Sequence, residues 1–372
     1  MINEIYNFTI SVLAAVMFIL GLMFWQLDAC RDCESHNYRR ASLMMIFAYC
    51  FFGFVNLVEL LSKYLNSESD DVLLFQIATL IVSASQAFMM TYAMILLINA
   101  SFVTRRTILN EVIPIFLVSV TVATAYVTMP VASVKVFVYL FVLFYVYLLI
   151  KYTLLFVKIY RECLQKLNNF FSGQEPERLR WVYFSFFIAL GLGIITLITG
   201  VLPSMYIGLV SSIFCLLFYS FFAIRFFNYG YVFKKNWEAL SEDNQVERKK
   251  LSSVVTRAIE VNLKEWIDKK QYLISGITIE EVSAQIGTNN KYLSVYINKY
   301  MGKTFREWIN DLKIREAKVL LLVYPEMTVN EIALRTGFAN QSNFGRQFLK
   351  HAKESPGTWR KKTKLQPIVS GT

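Results

Sequence analysis

Two regimes of hydrophobic patterning divide the chain. Up to about residue 228, apolar residues come in long unbroken runs at roughly 5–25, 41–62, 72–100, 107–128, 133–158, 181–201 and 204–227. Each is near the twenty or so residues that cross the hydrocarbon core of a bilayer as a helix. The first run is not read as a cleavable signal peptide, since Met1 to Asn7 holds no Lys or Arg and the run exceeds the usual apolar core of about 7–15 residues. Beyond it lies a polar, charge-mixed stretch, KKNWEALSEDNQVERKK at 234–250. Apolar residues then recur at helical spacing, with Val254, Val255, Ile259, Leu263 and Trp266 marking a helix over 253–268. The expected architecture is all-α: a seven-span transmembrane helix bundle (1–228), a linker (229–252) and an all-helical domain (253–372).

Charge sharpens this division. Hydrophobic residues make up 55% of the chain and charged ones 17%, well below the quarter or so usual in soluble domains. Of the formal +11, residues 229–372 carry most, with 24 Lys and Arg against 15 Asp and Glu. A basic domain suits nucleic acid or an anionic surface. In the connections between runs, Arg31, Arg39, Arg40, Arg105, Arg106, Lys158, Arg161, Lys166, Arg178 and Arg180 fall on one side, and Lys63 and Lys135 on the other. Because short cytoplasmic loops are enriched in Lys and Arg, this predicts an exterior N-terminus and a cytoplasmic C-terminal domain in a multi-pass protein of the cytoplasmic (inner) membrane. Trp25 and Trp181 fall at span ends on the cytoplasmic side, where interfacial aromatics belong.

Candidate chemistry inside the runs is sparse. Glu59 is a candidate ligand contact, since an intramembrane carboxylate is costly without a role, although Lys63 one turn on also allows a snorkelling pair. Gln76, Gln86 and Asn99 either line a cavity or bond to neighbouring helices. Paired intramembrane charges of the kind a proton relay needs are not expected. Cys30 and Cys33 with His36 form a C-x-x-C and one His, short of the four ligands of a closed zinc site. No H-E-x-x-H or P-loop occurs. The reading is a protein that is not an enzyme, without metal or cofactor.

The C-terminal domain contains an internal repeat. TIEEVSAQIG at 278–287 aligns with TVNEIALRTG at 328–337, and further on Leu293, Ile297 and Trp308 align with Phe344, Phe348 and Trp359. In each copy a small residue, Ser283 or Ala333, stands four positions before a glycine, Gly287 or Gly337. A helix-turn-helix needs both: a small side chain where the helices cross and a glycine for the left-handed turn. Asn289 and Asn340 stand where the next helix starts, as good N-caps.

These residues resemble the AraC/XylS transcription regulators. EIALRTGFANQSNFGRQF at 331–348, Ser355-Pro356 and Trp359-Arg360 look like the family's C-terminal signature, and 289–321 is similar to the first half of its module. The resemblance covers about 255–365, with one departure: Lys353 stands where the family often has a glycine. It implies two helix-turn-helix units joined by a central helix at about 304–322, each offering one recognition helix to a DNA major groove. The first is expected at about 289–299, with Lys291, Ser294 and Val295 facing bases. The second is expected at about 340–349, with Gln341, Ser342, Asn343 and Arg346. Ile286, Leu293, Ile297, Ile332, Phe344 and Phe348 are assigned to the core.

Together these readings describe a membrane-embedded, sequence-specific transcription regulator of AraC type, answering a signal sensed by the spans. Its partners are double-stranded DNA, the lipid bilayer and an unknown signal ligand; a homodimer and contact with RNA polymerase stay open. The alternative is a seven-span receptor or transporter whose basic module docks on a protein or on anionic lipid.

Overall fold

Each uninterrupted apolar run of the first part of the chain forms a helix, and the C-terminal part forms shorter amphipathic ones. The computed structural model describes residues 2–30, 36–65, 72–173, 179–201, 204–241 and 253–365. Seven long helices come first: α1 (Ile2–Cys30), α2 (His36–Leu65), α3 (Val72–Ile98), α4 (Arg105–Thr128), α5 (Val131–Phe170), α6 (Arg180–Val201) and α7 (Met205–Ser241). All seven are long and apolar enough to cross a membrane. No β-strand occurs among the described residues, only one isolated bridge between Phe171 and Thr278. Cys33 and the side chains of Cys30 and His36 lie outside the described residues.

The chain divides into two compact units. The first holds Met1–Cys163 and Arg180–Trp237. α3 is its centre: 78% of its apolar window is buried, against 22–39% in the other six helices, and α2, α4 and α6 pack on it. Large apolar side chains such as Phe8, Phe47, Phe116, Leu154 and Leu217 point outward and stay exposed. Inside, polar side chains are tied to carbonyls of neighbouring helices. Tyr49 donates to Tyr219 O at 2.7 Å, and Gln86 Nε2 donates to Ala48 O at 3.1 Å. Tyr6 donates to Glu59 at 3.1 Å, which gives the candidate carboxylate a partner on α1.

One expectation fails here. A paired charge does lie within the runs: Lys151 on α5 reaches Glu111 on α4, with Nζ 2.6 and 2.8 Å from its two carboxylate oxygens. Tyr92 of α3 donates to the same carboxylate at 3.3 Å and Tyr152 at 3.1 Å. Glu111 is 8% exposed at its side chain and Lys151 35%. Each charge is hidden in sequence by its own apolar neighbours, and only the packing of α4 on α5 joins them. A carboxylate on α4 that accepts four hydrogen bonds from three side chains of α3 and α5 fixes the register of those three helices as apolar contact alone does not.

Two boundaries also move. α7 runs unbroken to Ser241, so the first half of the expected linker is helical; residues 242–252 lie outside the described residues. α5 continues to Phe170, and residues from Leu164 onward belong to the second unit with Glu238–Thr372.

Losing one member of the buried pair should cost more than losing both, because a lone carboxylate keeps its desolvation penalty. Lys151→Met is expected to destabilise the detergent-solubilised chain by about 1–3 kcal/mol. The double variant Lys151→Met/Glu111→Gln should recover part of that loss in thermal unfolding. A double-variant loss equal to the sum of those of Lys151→Met and Glu111→Gln would mean that the two side chains are not energetically coupled.

Candidate nucleic-acid interface

The second unit is built on α8 (Ser253–Asp268), α9 (Ile279–Gln285), α10 (Asn290–Tyr300), α11 (Phe305–Val323), α12 (Val329–Arg335), α13 (Gln341–Ala352) and α14 (Pro356–Leu365). The repeat seen in sequence is a repeat in hydrogen bonds. Thr278 and Thr328 each accept from the backbone N–H three residues on at 3.2 Å, and Glu281 and Glu331 each reach back to the threonine N–H at 2.7 Å. These are capping boxes, satisfying donors that a helix start leaves orphaned. At Glu331 the Thr328 N–H holds the carboxyl below its usual range. The turns match too: Thr288 N–H bonds Ser283 O, and Phe338 N–H bonds Ala333 O, both at 2.9 Å. Asn289 and Asn340 then cap α10 and α13, accepting from Tyr292 N–H at 2.8 Å and Asn343 N–H at 2.9 Å.

Packing separates the copies. Around the second hairpin, Ile314, Ala317, Leu321, Ile332, Ala333, Phe338, Phe344 and Phe348 form one core, with Trp359 against its edge. In the first copy Ile259, Leu263, Val282, Ile286, Leu293 and Ile297 are buried, and Trp266 stacks on Trp308 with ring centroids 5.8 Å apart. The glycines differ as well. Both have positive φ, +70° at Gly287 and +75° at Gly337. A Cβ on Gly287 would meet nothing, whereas one on Gly337 would lie 1.9 Å from the Leu273 carbonyl oxygen. Gly337 is therefore needed twice, for its turn and for a close approach. Beside it the buried Lys313 of α11 donates to Gly337 O and Ile274 O, both at 2.9 Å, and burial lowers its pKa to about 8.

The expected recognition residues distribute unevenly. Gln341, Ser342 and Arg346 are exposed and line one surface depression with Gly345 and Leu349. Their spacing along α13 places them on one face. Asn343 departs from the expectation: it is 6% exposed, turned inward beside Phe344. On α10, Lys291 is exposed, while Ser294 and Val295 are half-buried and Ser294 accepts from Asn298 at 3.2 Å. Two exposed residues escaped the sequence reading. Leu349 is 53% and Tyr292 46% exposed; an apolar residue at helical spacing looks like core until the neighbouring helices are placed. Lys353 adopts the left-handed conformation at φ 62° as the C-cap of α13, so the backbone keeps the turn that glycine would favour.

A third element belongs to this unit. The stretch after α5 lies along the start of the first hairpin: Ser172 N–H and Oγ both donate to Ile277 O, at 3.3 and 2.5 Å, and Phe171 bridges Thr278, the N-cap of α9. Arg306 donates to Asn168 at 3.3 Å.

Comparison with known proteins agrees with this geometry. Residues 282–362 match the profile of a helix-turn-helix domain. Over 84 residues the chain is 30% identical to an uncharacterized HTH-type transcriptional regulator of Staphylococcus aureus, covering 23% of this chain and 11% of that protein. It is 33% identical over 86 residues to the uncharacterized HTH-type transcriptional regulator YtdP of Bacillus subtilis, with the same coverage of 23% and 11%. The corresponding regulator YijO of Escherichia coli is 30% identical over 99 residues, or 27% of this chain and 34% of that protein. The match thus spans about a tenth to a third of these relatives. Among solved structures, the C-terminal domain of AraT, a response regulator from Geobacillus stearothermophilus, is 28% identical, covering 33% of this chain and 94% of that one at a TM-score of 0.26. Residues 282–362 of the C-terminal module are thus a helix-turn-helix domain.

The two glycines should respond differently to one methyl group. Gly287→Ala is expected to cost about 1 kcal/mol, the left-handed penalty alone. Gly337→Ala should cost about 3 kcal/mol or more, since the Leu273 backbone must also move. Lys353→Gly should stabilise by about 0.5–1 kcal/mol. Urea unfolding of the isolated module checks all three, and similar losses at both glycines would refute the close approach.

Lys313 gives a pH signature. Its ordinary value of 10.5 falls to about 8 on folding, so between these values the unfolded chain binds more protons. Stability should therefore rise with pH across that window, and the gain should be lost as pH falls through about 8. In a Lys313→Met background this part of the slope should vanish. A slope unchanged by that substitution would assign it to other groups.

Proposed function

We propose that this chain is a membrane-embedded, sequence-specific DNA-binding regulator of transcription, with its helix-turn-helix module in the cytoplasm. The observation that carries the reading is the matched pair of hairpins, the second presenting Gln341, Ser342 and Arg346 on one exposed face. Gln suits an adenine edge, and Arg a guanine edge or a phosphate. Lys291 serves the first helix, where Ser294 and Val295 offer less to read. Two recognition helices on one rigid support would address major-groove segments about one turn apart. The outward apolar side chains of the first unit and the one-sided distribution of Lys and Arg support membrane insertion with the N-terminus outside.

The seven helices are read as the sensor. A ligand alters DNA binding only through different affinities for two states of the protein. The linker after α7 is one route for that change. The stretch following α5, bonded to Ile277, supports a second that needs no linker.

Purified residues 246–372, mixed with genomic fragments across a salt series, test the central claim. Selective enrichment is expected, and Arg346→Ala should weaken the selected site by about 1–3 kcal/mol if Arg346 grips a base. A loss equal on all sequences, with a shallower salt slope, would make it a phosphate contact. Uniform weak binding by the unaltered module would instead favour docking on a protein or on anionic lipid.

A further inference from the structure

The bundle of the first unit encloses a cavity of about 80 Å³ between α2, α3, α5, α6 and α7. At roughly 10–15 Å³ for each water-sized sphere, it has room for about five to eight bonded non-hydrogen atoms. Its walls are mainly apolar, with Phe52, Phe186 and Phe218 among them, and none of its lining residues is charged. An ion would find no counter-charge there, so the chemistry fits a neutral molecule.

The hydrogen-bonding groups narrow the class further. Three lining hydroxyls are already committed to backbone carbonyls: Ser83 donates to Thr79 O at 2.7 Å, Tyr145 to Gly193 O at 3.3 Å and Thr196 to Gly193 O at 2.9 Å. Gln86 uses its amide N–H on Ala48 O at 3.1 Å and its side chain lies against the Tyr219 hydroxyl, while its Oε1 is buried without a hydrogen-bond partner. Gln86 is 7% exposed. A buried acceptor lacking a donor is costly, and a ligand carrying one O–H or N–H would relieve it.

We propose that this cavity binds a small neutral ring compound bearing a single hydrogen-bond donor, which donates to Gln86 Oε1. The site gives the sensing reading above a place and a ligand class, and rests on that reading for its consequence. Tyr145, Leu149 and Tyr152 line the cavity at successive turns of α5, and Tyr152 also bonds Glu111. A bound ring thus meets α5 at three turns, one of them through Tyr152, whose hydroxyl bonds Glu111.

Phenol and fluorobenzene, alike in size and different in their donor, are the probes. They would be titrated by ligand-observed NMR into the full chain in nanodiscs, with protein-free nanodiscs subtracted. Saturable phenol binding is expected, roughly five- to tenfold tighter than fluorobenzene. Gln86→Leu should bring phenol down to the fluorobenzene affinity, and Ala189→Phe, which fills the cavity from α6, should abolish saturable binding of both. Binding no greater than in protein-free nanodiscs, or a phenol preference that survives Gln86→Leu, would overturn the site. If Gln86→Leu fails to fold, Ala189→Phe decides: binding unaffected by it places the ligand elsewhere. DNA affinity in the same nanodiscs is measured separately. Site-specific phenol binding without any change in DNA affinity would reject the sensing reading and leave the site standing.

Discussion

The helix-turn-helix unit turns on one junction: a lysine ammonium buried between two carbonyls, next to a glycine pressed on a third. Lys313 joins Ile274 O to Gly337 O, while Gly337 sits where a Cβ would overlap Leu273 O. Each hairpin has its own core and its own capping box, the core of the second completed by Ile314, Ala317 and Leu321 of α11. Their mutual orientation is another matter, since α11 offers a different side to each. Apolar contact is non-directional and tolerates small rotations. A buried cation tied to two carbonyls does not, because any displacement exposes unmet desolvation cost. The same burial lowers the pKa of Lys313, so the geometric constraint and the pH signature have one origin.

The contacts made by the stretch after α5 bear on how the first unit could influence the second. Ser172 and Phe171 meet Ile277 and Thr278, and Thr278 is the residue whose side chain and N–H both serve the capping box of α9. A shift of this stretch acts on the residue that starts the first hairpin. The second hairpin has no equivalent partner among the described contacts. A coupling through α5 would therefore act unequally on α10 and α13. A coupling through the linker after α7 would move both together.

Much of this was legible in sequence because local chemistry determined it. Seven apolar runs became seven helices, and the expected central and recognition helices fall within a residue or two of α10 and α11 and start with α13. The small-residue and glycine pair at 283/287 and 333/337 makes matching turns. The T-x-x-E boxes at 278 and 328 were also there to be seen. What stayed hidden depends on partners distant in the chain. Glu111 and Lys151 are forty residues apart, each in an apolar helix, and no periodicity links them. Asn343 was expected on the exposed side of α13 by residue type, since polarity suggests exposure only until the neighbouring helix is placed. The helical extensions of α5 and α7 went unread because their polar composition resembles a connection, although straight-chain polar residues are good helix formers.

α10 and α13 differ in exposure, although the repeat gives them matching frames. Internal duplication would lead one to expect two equal readers. Backbone geometry has indeed been kept equal, down to matching cap and turn distances, whereas the surface has not. α13 exposes Gln341, Ser342 and Arg346 beside Leu349, so amide, guanidinium and apolar contacts lie within one patch. α10 exposes Lys291 and Tyr292, with Ser294 drawn into a bond to Asn298 and Val295 half-buried. A cation and an aromatic near a helix start suit the phosphate backbone better than base edges. On the reading proposed above, the second hairpin specifies and the first positions. The first hairpin is also the one that the α5 stretch touches. A signal arriving there would alter grip on the backbone without rewriting the sequence being read, which lets one operator be held tightly or loosely.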